Sequence, residues 1–255
     1  MTIRDAVILG VIEGLTEFLP VSSTGHLILT AHILGIPHDE FTKSFEIAIQ
    51  LGAILAVFLV YSERLIRDFQ VWKRIISAFI PTAVVGFLLY KVIKNYFIGN
   101  DLLVVINLMA GGIILIFADR LTAPFRRFGE VNQLDLKRSA FIGLFQALAV
   151  MPGVSRSGAT IVGAMLLGLE RKTAAEFSFL LAVPTMFSAT AYDLYKTGPA
   201  FTSGQWELLL AGFITAFITA VLTVKGFLKF LEKHGFAVFG FYRICIAVFY
   251  GLIFL

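Results

Sequence analysis

Six stretches of about 20 mainly apolar residues recur along this chain, and they constrain its fold more than any other feature. They lie at about 44–61, 75–94, 102–119, 174–195, 206–225 and 236–255. Each is long enough to cross the hydrocarbon core of a bilayer as a helix. Charged residues make up 15% of the chain, whereas about a quarter of a soluble domain is charged. The sequence therefore predicts an all-α integral membrane protein with six transmembrane helices.

Two further apolar segments, at about 3–35 and 139–169, are each interrupted by Pro, Gly and Ser. The pieces on either side of each interruption are too short to span a bilayer. Irregular backbone at membrane depth is tolerated where protein or water surrounds it. We therefore predict that each segment forms a re-entrant hairpin of two short helices.

The two interrupted segments also resemble each other. Leu9–His26 reads LGVIEGLTEFLPVSSTGH, and Ile142–Ala159 reads IGLFQALAVMPGVSRSGA, with matching residues at a constant offset of 133. This repeat predicts a single membrane domain, 1–255, built from two halves, 1–120 and 137–255. Each half holds one hairpin and three spans, and because three is odd the second half enters the membrane from the opposite side. The halves then form an inverted-topology internal repeat whose interruptions meet near the midplane.

Lys and Arg are distributed unevenly between the loops. Most of them fall on one predicted side, and that side is expected to be cytoplasmic. The other side carries Arg4, Lys43, Lys91, Lys94 and Lys196. Both termini are then predicted to lie outside, in the periplasm of a multi-pass membrane protein. The net charge is +4, but the sequence has no basic stripe with interleaved aromatic residues. The absence of such a stripe excludes nucleic acid as a partner.

Two acidic residues, Glu13 and Glu17, stand four residues apart in the first interrupted segment and share one helix face. Ionisable residues within a membrane are costly and usually functional. Their mutual repulsion would be relieved by a shared proton or by a hard cation, and Mg²⁺ or Ca²⁺ suits oxygen ligands and phosphate. The simpler alternative is a pair facing a wet cleft without a metal.

The first interruption reads PVSSTGH and groups Ser22, Ser23 and Thr24 before His26. Hydroxyls and backbone N–H groups at a helix N-terminus bind anions well. Helix capping explains one of these hydroxyls but not all three. Ser23 and His26 are three residues apart, so their side chains could approach each other as a nucleophile and a base.

The second interruption reads PGVSRSGAT and has Arg156 where the first has Ser23. A guanidinium at membrane depth needs an anion and grips phosphate with two hydrogen bonds. The alternative for Arg156 is a structural ion pair with Glu13 or Glu17. The second interruption has further hydrogen-bond donors in Ser155, Ser157 and Thr160, some of which only cap the helix. Gln146 replaces Glu13 in this half, so the predicted site takes its acids and His from one half and its Arg from the other.

Five other polar residues carry weaker expectations. Glu46, Gln50 and Glu176 stand near the starts of predicted spans and are expected to line the cleft. Arg243 and Asp193 lie in or near spans and are expected to pair structurally.

EGLTEFLPVSSTGH and MPGVSRSGAT together resemble the undecaprenyl-diphosphate phosphatase family, also called the bacitracin-resistance proteins, and the resemblance covers essentially the whole chain. It implies a bacterial inner-membrane enzyme that hydrolyses undecaprenyl diphosphate to undecaprenyl phosphate and inorganic phosphate for cell-wall synthesis. It also implies a divalent cation, Mg²⁺ or Ca²⁺. The family's acidic motif falls on Glu13 and Glu17, its serine on Ser23, its histidine on His26 and its arginine on Arg156.

These residues give a hypothesis with named roles. Glu13 and Glu17 hold the cation against the diphosphate, while Arg156 neutralises charge on the transferred phosphoryl group. Ser23 attacks phosphorus or orients the attacking water, and His26 acts as base or acid. Ser22, Thr24, Ser155, Ser157 and Thr160 are the predicted substrate-binding residues.

The competing class is a polyprenyl-lipid transporter or flippase, since inverted repeats with interrupted helices are typical of transporters. A transporter has less need of a Ser–His pair beside paired acids and an Arg. The predicted partners are a polyprenyl diphosphate lipid and the surrounding membrane lipids. The sequence leaves a homodimer open.

Overall fold

The computed structural model describes residues 1–37, 39–92, 100–197 and 201–254; Lys94, assigned above to the less basic side, lies outside them. This part of the chain is α-helical, without a β-strand and with one isolated bridge between Phe128 and Leu169. The α-helices are α1 Ile3–Thr16, α2 Ser23–Ile33, α3 Glu40–Val60, α4 Ser62–Arg67, α5 Phe69–Val92, α6 Asp101–Thr122, α7 Leu136–Ala147, α8 Arg156–Leu166, α9 Arg171–Thr197, α10 Ser203–Lys233 and α11 Ala237–Phe254.

Within the described ranges, six helices are long and apolar enough to cross a membrane: α3, α5, α6, α9, α10 and α11. They confirm the six predicted spans in number and order. Helix α10 continues past its predicted end near residue 225 to Lys233, because buried Phe227 and Leu231 extend its apolar face beside the exposed Lys225 and Lys229.

The outer faces of these helices carry large apolar side chains. Phe87 on α5 is 81% exposed, Leu222 on α10 is 68% exposed and Leu252 on α11 is 82% exposed. Apolar surface of this extent is unfavourable in water and is suited to contact with lipid tails. The distribution supports an integral membrane protein.

The two interrupted segments form two pairs of short helices, α1 with α2 and α7 with α8. Helix α1 has 14 residues and the others have 11 or 12, so the longest is about 21 Å, well below the bilayer core of about 30 Å. Between the helices lie residues 17–22, here called the first break, and residues 148–155, the second break. The interruptions are therefore where the Pro, Gly and Ser clusters predicted them.

The short helices pack across the two halves of the chain. Helix α1 packs against α10, and α7 packs against α5. Gly10 on α1 and Gly143 on α7, which match at the offset of 133, both make these contacts possible. A Cβ at Gly10 would run into the carbonyl of Gly212 on α10, and one at Gly143 into the carbonyl of Ala78 on α5. This crossed packing brings the two breaks together.

Candidate active site

The two breaks share an unusual backbone conformation. Ser22 has φ 73° and Ser155 has φ 74°, and they are the non-glycine residues of positive φ in the described ranges. They match at the offset of 133, and each directly precedes a short helix. Positive φ is costly for a residue with a Cβ, and such strain is concentrated at functional sites. Each break thus presents the next side chain from an equivalent position, the hydroxyl of Ser23 in one half and the guanidinium of Arg156 in the other.

Glu17 joins these two side chains. Its Oε2 accepts a hydrogen bond of 2.6 Å from the Ser23 hydroxyl, and its Oε1 accepts one of 2.8 Å from Nη2 of Arg156. Nη1 of Arg156 donates to the backbone carbonyl of Ser178 at 2.8 Å. The carboxylate and the hydroxyl are buried, as is most of the guanidinium. Residues remote in sequence therefore meet, and the ion pair named above as an alternative for Arg156 is formed with Glu17.

Glu13 lies one turn before Glu17 and is fully buried. Neither of its carboxylate oxygens accepts a hydrogen bond from a donor group, and the negative charges of Glu17 and Glu46 repel its charge while Arg156 attracts it. Glu46 on α3 is a second buried acid with an unpartnered oxygen. Buried oxygens without donors are costly unless a proton or a cation satisfies them.

Glu13 and Glu17 are the side chains predicted to bind a divalent cation. No group of three or more His, Cys, Asp or Glu side chains in the described ranges is arranged to hold a metal ion. Mg²⁺ commonly takes one or two carboxylates and completes its shell with water and substrate phosphate. The unpartnered oxygens of Glu13 beside Glu17 fit that mode of binding.

His26 does not pair with Ser23 in the way that the sequence spacing suggested. Its Nδ1 lies 2.8 Å from the carbonyl of Ser22, and its Nε2 lies 2.8 Å from the hydroxyl of Tyr242 on α11. The two rings are stacked, with their centroids 5.5 Å apart. Because a carbonyl only accepts, Nδ1 carries the hydrogen in this arrangement, and a neutral ring accepts at Nε2. Tyr242 is a site neighbour that no sequence motif indicated.

A cavity of about 290 Å³ opens between the breaks. The predicted residues that line it are Glu17, Ser22, Ser23, Thr24, Ser155 and Arg156, together with Gln50 and Gln146. Ser157 instead donates to the carbonyl of Leu19 at 2.8 Å, and Thr160 donates to the carbonyl of Arg156 at 2.8 Å. The Ser157 hydroxyl thus ties α8 to the first break, the Thr160 hydroxyl bonds within α8, and neither residue lines the cavity. Glu46 and Glu176 were both expected to line the cleft, but neither is among the lining residues, and Glu176 instead forms an ion pair with Arg64 at 2.9 Å. Glu13 lies behind Glu17 in α1 and does not line the cavity either.

The positive φ of Ser22 leads to a stability prediction. Ser22→Gly removes the Cβ at this strained position, whereas Ser22→Ala keeps it, so we expect Gly to be more stable than Ala by about 1 kcal/mol. Thermal unfolding in detergent measures the difference. At Ser188, an exposed position within α9, the order should reverse, because Ala favours a helix interior. An Ala variant at position 22 as stable as the Gly variant would show that the backbone there is unstrained.

Comparison with known proteins gives consistent matches over the whole chain. A family model described as bacitracin resistance protein BacA matches residues 6–249. Undecaprenyl-diphosphatase of Aquifex aeolicus is 62% identical over 255 residues, covering 100% of both chains. The proteins of that name from Thermus thermophilus and from Sulfurihydrogenibium sp. are 55% and 52% identical; the first match covers 98% of this chain and 97% of the relative, the second 99% of each.

Proposed function

Because this chain belongs to the bacitracin resistance protein BacA family, we propose that it hydrolyses undecaprenyl diphosphate to undecaprenyl phosphate and inorganic phosphate in the bacterial inner membrane. Its relatives named undecaprenyl-diphosphatase support this substrate. One contact carries the proposal, the Glu17 carboxylate held between the Ser23 hydroxyl and the Arg156 guanidinium. This arrangement unites a nucleophile, a proton acceptor and a phosphate-binding cation.

The architecture we propose is an inverted repeat of two re-entrant hairpins and six spans within one domain. The nearly equal φ values at Ser22 and Ser155 support the equivalence of the two breaks. The crossed packing of α1 on α10 and of α7 on α5 supports two interlocked halves. The excess of Lys and Arg on one side favours a cytoplasmic location for that side, with both termini outside.

The diphosphate occupies the cavity between the breaks, and the polyprenyl tail lies among the spans. Arg156 binds the terminal phosphoryl group and neutralises the charge that develops on its oxygens. Thr24 also lines the cavity, and the N-termini of α2 and α8 add positive electrostatic potential for an anion. The apolar lining residues, such as Val150 and Met186, exclude water from the reacting bond.

Ser23 attacks the terminal phosphorus in this proposal. The Ser23 proton passes to Glu17, an Oγ–P bond forms, and the bond from phosphorus to the bridging oxygen breaks to release undecaprenyl phosphate. Water then cleaves the phosphoserine to give inorganic phosphate. Direct attack by a water oriented by Ser23 is the alternative route, and trapping phosphate on Ser23 distinguishes the two. His26 as acid or base stays a prediction; its hydrogen bond to the Ser22 carbonyl supports a further role in fixing the turn before Ser23.

Glu13 and Glu17 would hold a divalent cation, Mg²⁺ or Ca²⁺. Such an ion neutralises diphosphate oxygens and makes the terminal phosphorus easier to attack. The unpartnered oxygens of Glu13 support this assignment.

The proposal is tested by measuring phosphate release from undecaprenyl diphosphate by the purified protein in detergent. We expect turnover that EDTA abolishes and that added Mg²⁺ or Ca²⁺ restores, because Arg156 pairs with Glu17 alone and the buried oxygens of Glu13 have no donor. Glu13→Gln should raise the cation concentration needed for half-maximal rate by about tenfold, while Glu40→Gln, an exposed acid paired with Lys43, should leave it unchanged. Movement of the lipid across vesicles without phosphate release would favour a transporter or flippase instead.

A further inference from the structure

Arg243 on α11 is a buried cation that the proposed chemistry does not use. It is 1% exposed, and no carboxylate pairs with it in the described part of the chain. The sequence predicted that Arg243 forms a structural pair with another residue. Because a buried guanidinium without an anion is costly, Arg243 needs other hydrogen-bond acceptors.

Its hydrogen-bond acceptors among the described residues are all backbone carbonyls. Nε, Nη1 and Nη2 donate to five of them, with lengths from 2.8 to 3.3 Å: Leu108, Pro20, Val154, Asn107 and Gly153. Arg is the side chain with five N–H donors in a fixed fork, so one guanidinium satisfies the whole set, whereas an ammonium has three donors.

These carbonyls come from three parts of the fold. Pro20 belongs to the first break, Gly153 and Val154 belong to the second, and the other two belong to α6. Pro20 and Gly153 match at the repeat offset of 133, so the guanidinium bridges equivalent points of the two halves. Broken helices leave carbonyls without partners, and at membrane depth these must be satisfied inside the protein.

The neighbouring helix is shaped to admit the guanidinium. A Cβ at Gly111 on α6 would collide with Nη2 of Arg243. Gly112 on α6 and Gly240 on α11 pack so closely that a Cβ on either would press against the backbone carbonyl of the other. Helix α11 thus approaches α6 closely enough for Arg243 to reach both breaks.

We propose that Arg243 is a positioning residue that fixes the two breaks relative to each other, so that Ser23 and Glu17 face Arg156. It binds Pro20, three residues before Ser23, and Val154, two residues before Arg156. It does not line the cavity and therefore acts through the backbone rather than on substrate. This inference rests on the proposed function.

Two substitutions test it by different means. Arg243→Met removes all five donors, and Gly111→Ala keeps the guanidinium but displaces it. We expect kcat per folded molecule to fall about 100-fold and about tenfold respectively, with KM changed less than about threefold, since small misplacements of reacting groups have effects of this size. Arg243→Lys should remain close to Arg243→Met, because its charge is kept but two donors are lost.

Matched controls separate positioning from general stability. Tyr250→Phe removes a partly buried hydrogen bond of 2.6 Å between α11 and Asp101 on α6, away from the breaks, and Gly86→Ala adds a Cβ where nothing lies within 4 Å. Both should keep kcat within about twofold. Thermal unfolding of each purified variant shows how far stability alone has changed.

Hydrogen exchange in peptides covering residues 17–23 and 148–156 gives a readout that needs no turnover. Arg243→Met and Gly111→Ala should speed exchange in both breaks at once, while the two controls should not. Phosphate release by the wild-type protein tests the proposed function separately. If Gly111→Ala folds with wild-type kcat and exchange, or Arg243→Lys restores full activity, Arg243 is not a positioning residue.

Discussion

Replacing Arg156 with glutamine will lower kcat for undecaprenyl diphosphate by about 10³-fold. Arg156 is the basic side chain among the described residues that line the cavity, so no neighbouring cation takes over its charge. The substitution also leaves the buried Glu17 carboxylate without its ion-pair partner. An unpaired buried charge is costly, so the ionised form of Glu17 that accepts the Ser23 proton becomes less favourable. Lysine should restore the activity only in part, because it cannot form the two parallel bonds of a guanidinium.

Phosphate release by purified variants measures this effect, with Arg64→Gln as the matched control. Arg64 forms a partly buried ion pair of 2.9 Å with Glu176, outside the cavity, and its loss should change kcat by less than about threefold. Comparable losses at the two positions would mean that Arg156 serves stability rather than phosphoryl transfer.

Replacing Glu17 with glutamine will lower kcat by about 10³-fold or more, within the range for loss of a general base. Glutamine can still accept a hydrogen bond from Ser23, but it cannot take the Ser23 proton or balance the charge of Arg156. The structure should change little, since the side chains have nearly the same shape.

The control for Glu17 is Glu63→Gln, which removes an exposed acid paired with Arg67 at 2.7 Å. It should leave kcat unchanged within about twofold, because exposed ion pairs contribute little. Substantial activity in Glu17→Gln together with inactive Ser23→Ala would assign the proton transfer to another group, with His26 as the next variant to measure.

Much of this arrangement follows from the sequence. Apolar length predicted the six spans, and Pro, Gly and Ser predicted where the short helices break. The repeat linked Ser23 to Arg156 as equivalent positions, and the cost of a buried guanidinium pointed to Glu13 or Glu17 as its partner. These inferences hold because they depend on backbone conformation and charge, which local sequence strongly constrains.

The remaining contacts depend on packing between distant helices. Spacing allowed Ser23 and His26 to meet, but the stacking of Tyr242 on His26 turns that ring towards α11. Nothing in the local sequence around Arg243 reveals that five carbonyls surround it, because its acceptors carry no side-chain signature. Arg243 hydrogen-bonds to backbone carbonyls that lie 89 to 223 residues away in the sequence, and such contacts become visible only in the folded chain.

The most direct test of the central claim is a double-mutant cycle on kcat with Glu17→Gln and Arg156→Gln. If the two halves of the chain build one site around a single diphosphate, the double variant should be no more than about threefold slower than the slower single variant, because residues that act as a unit are not additive. A double variant slowed by the product of the two single effects would show that Glu17 and Arg156 act independently, and would contradict a shared site.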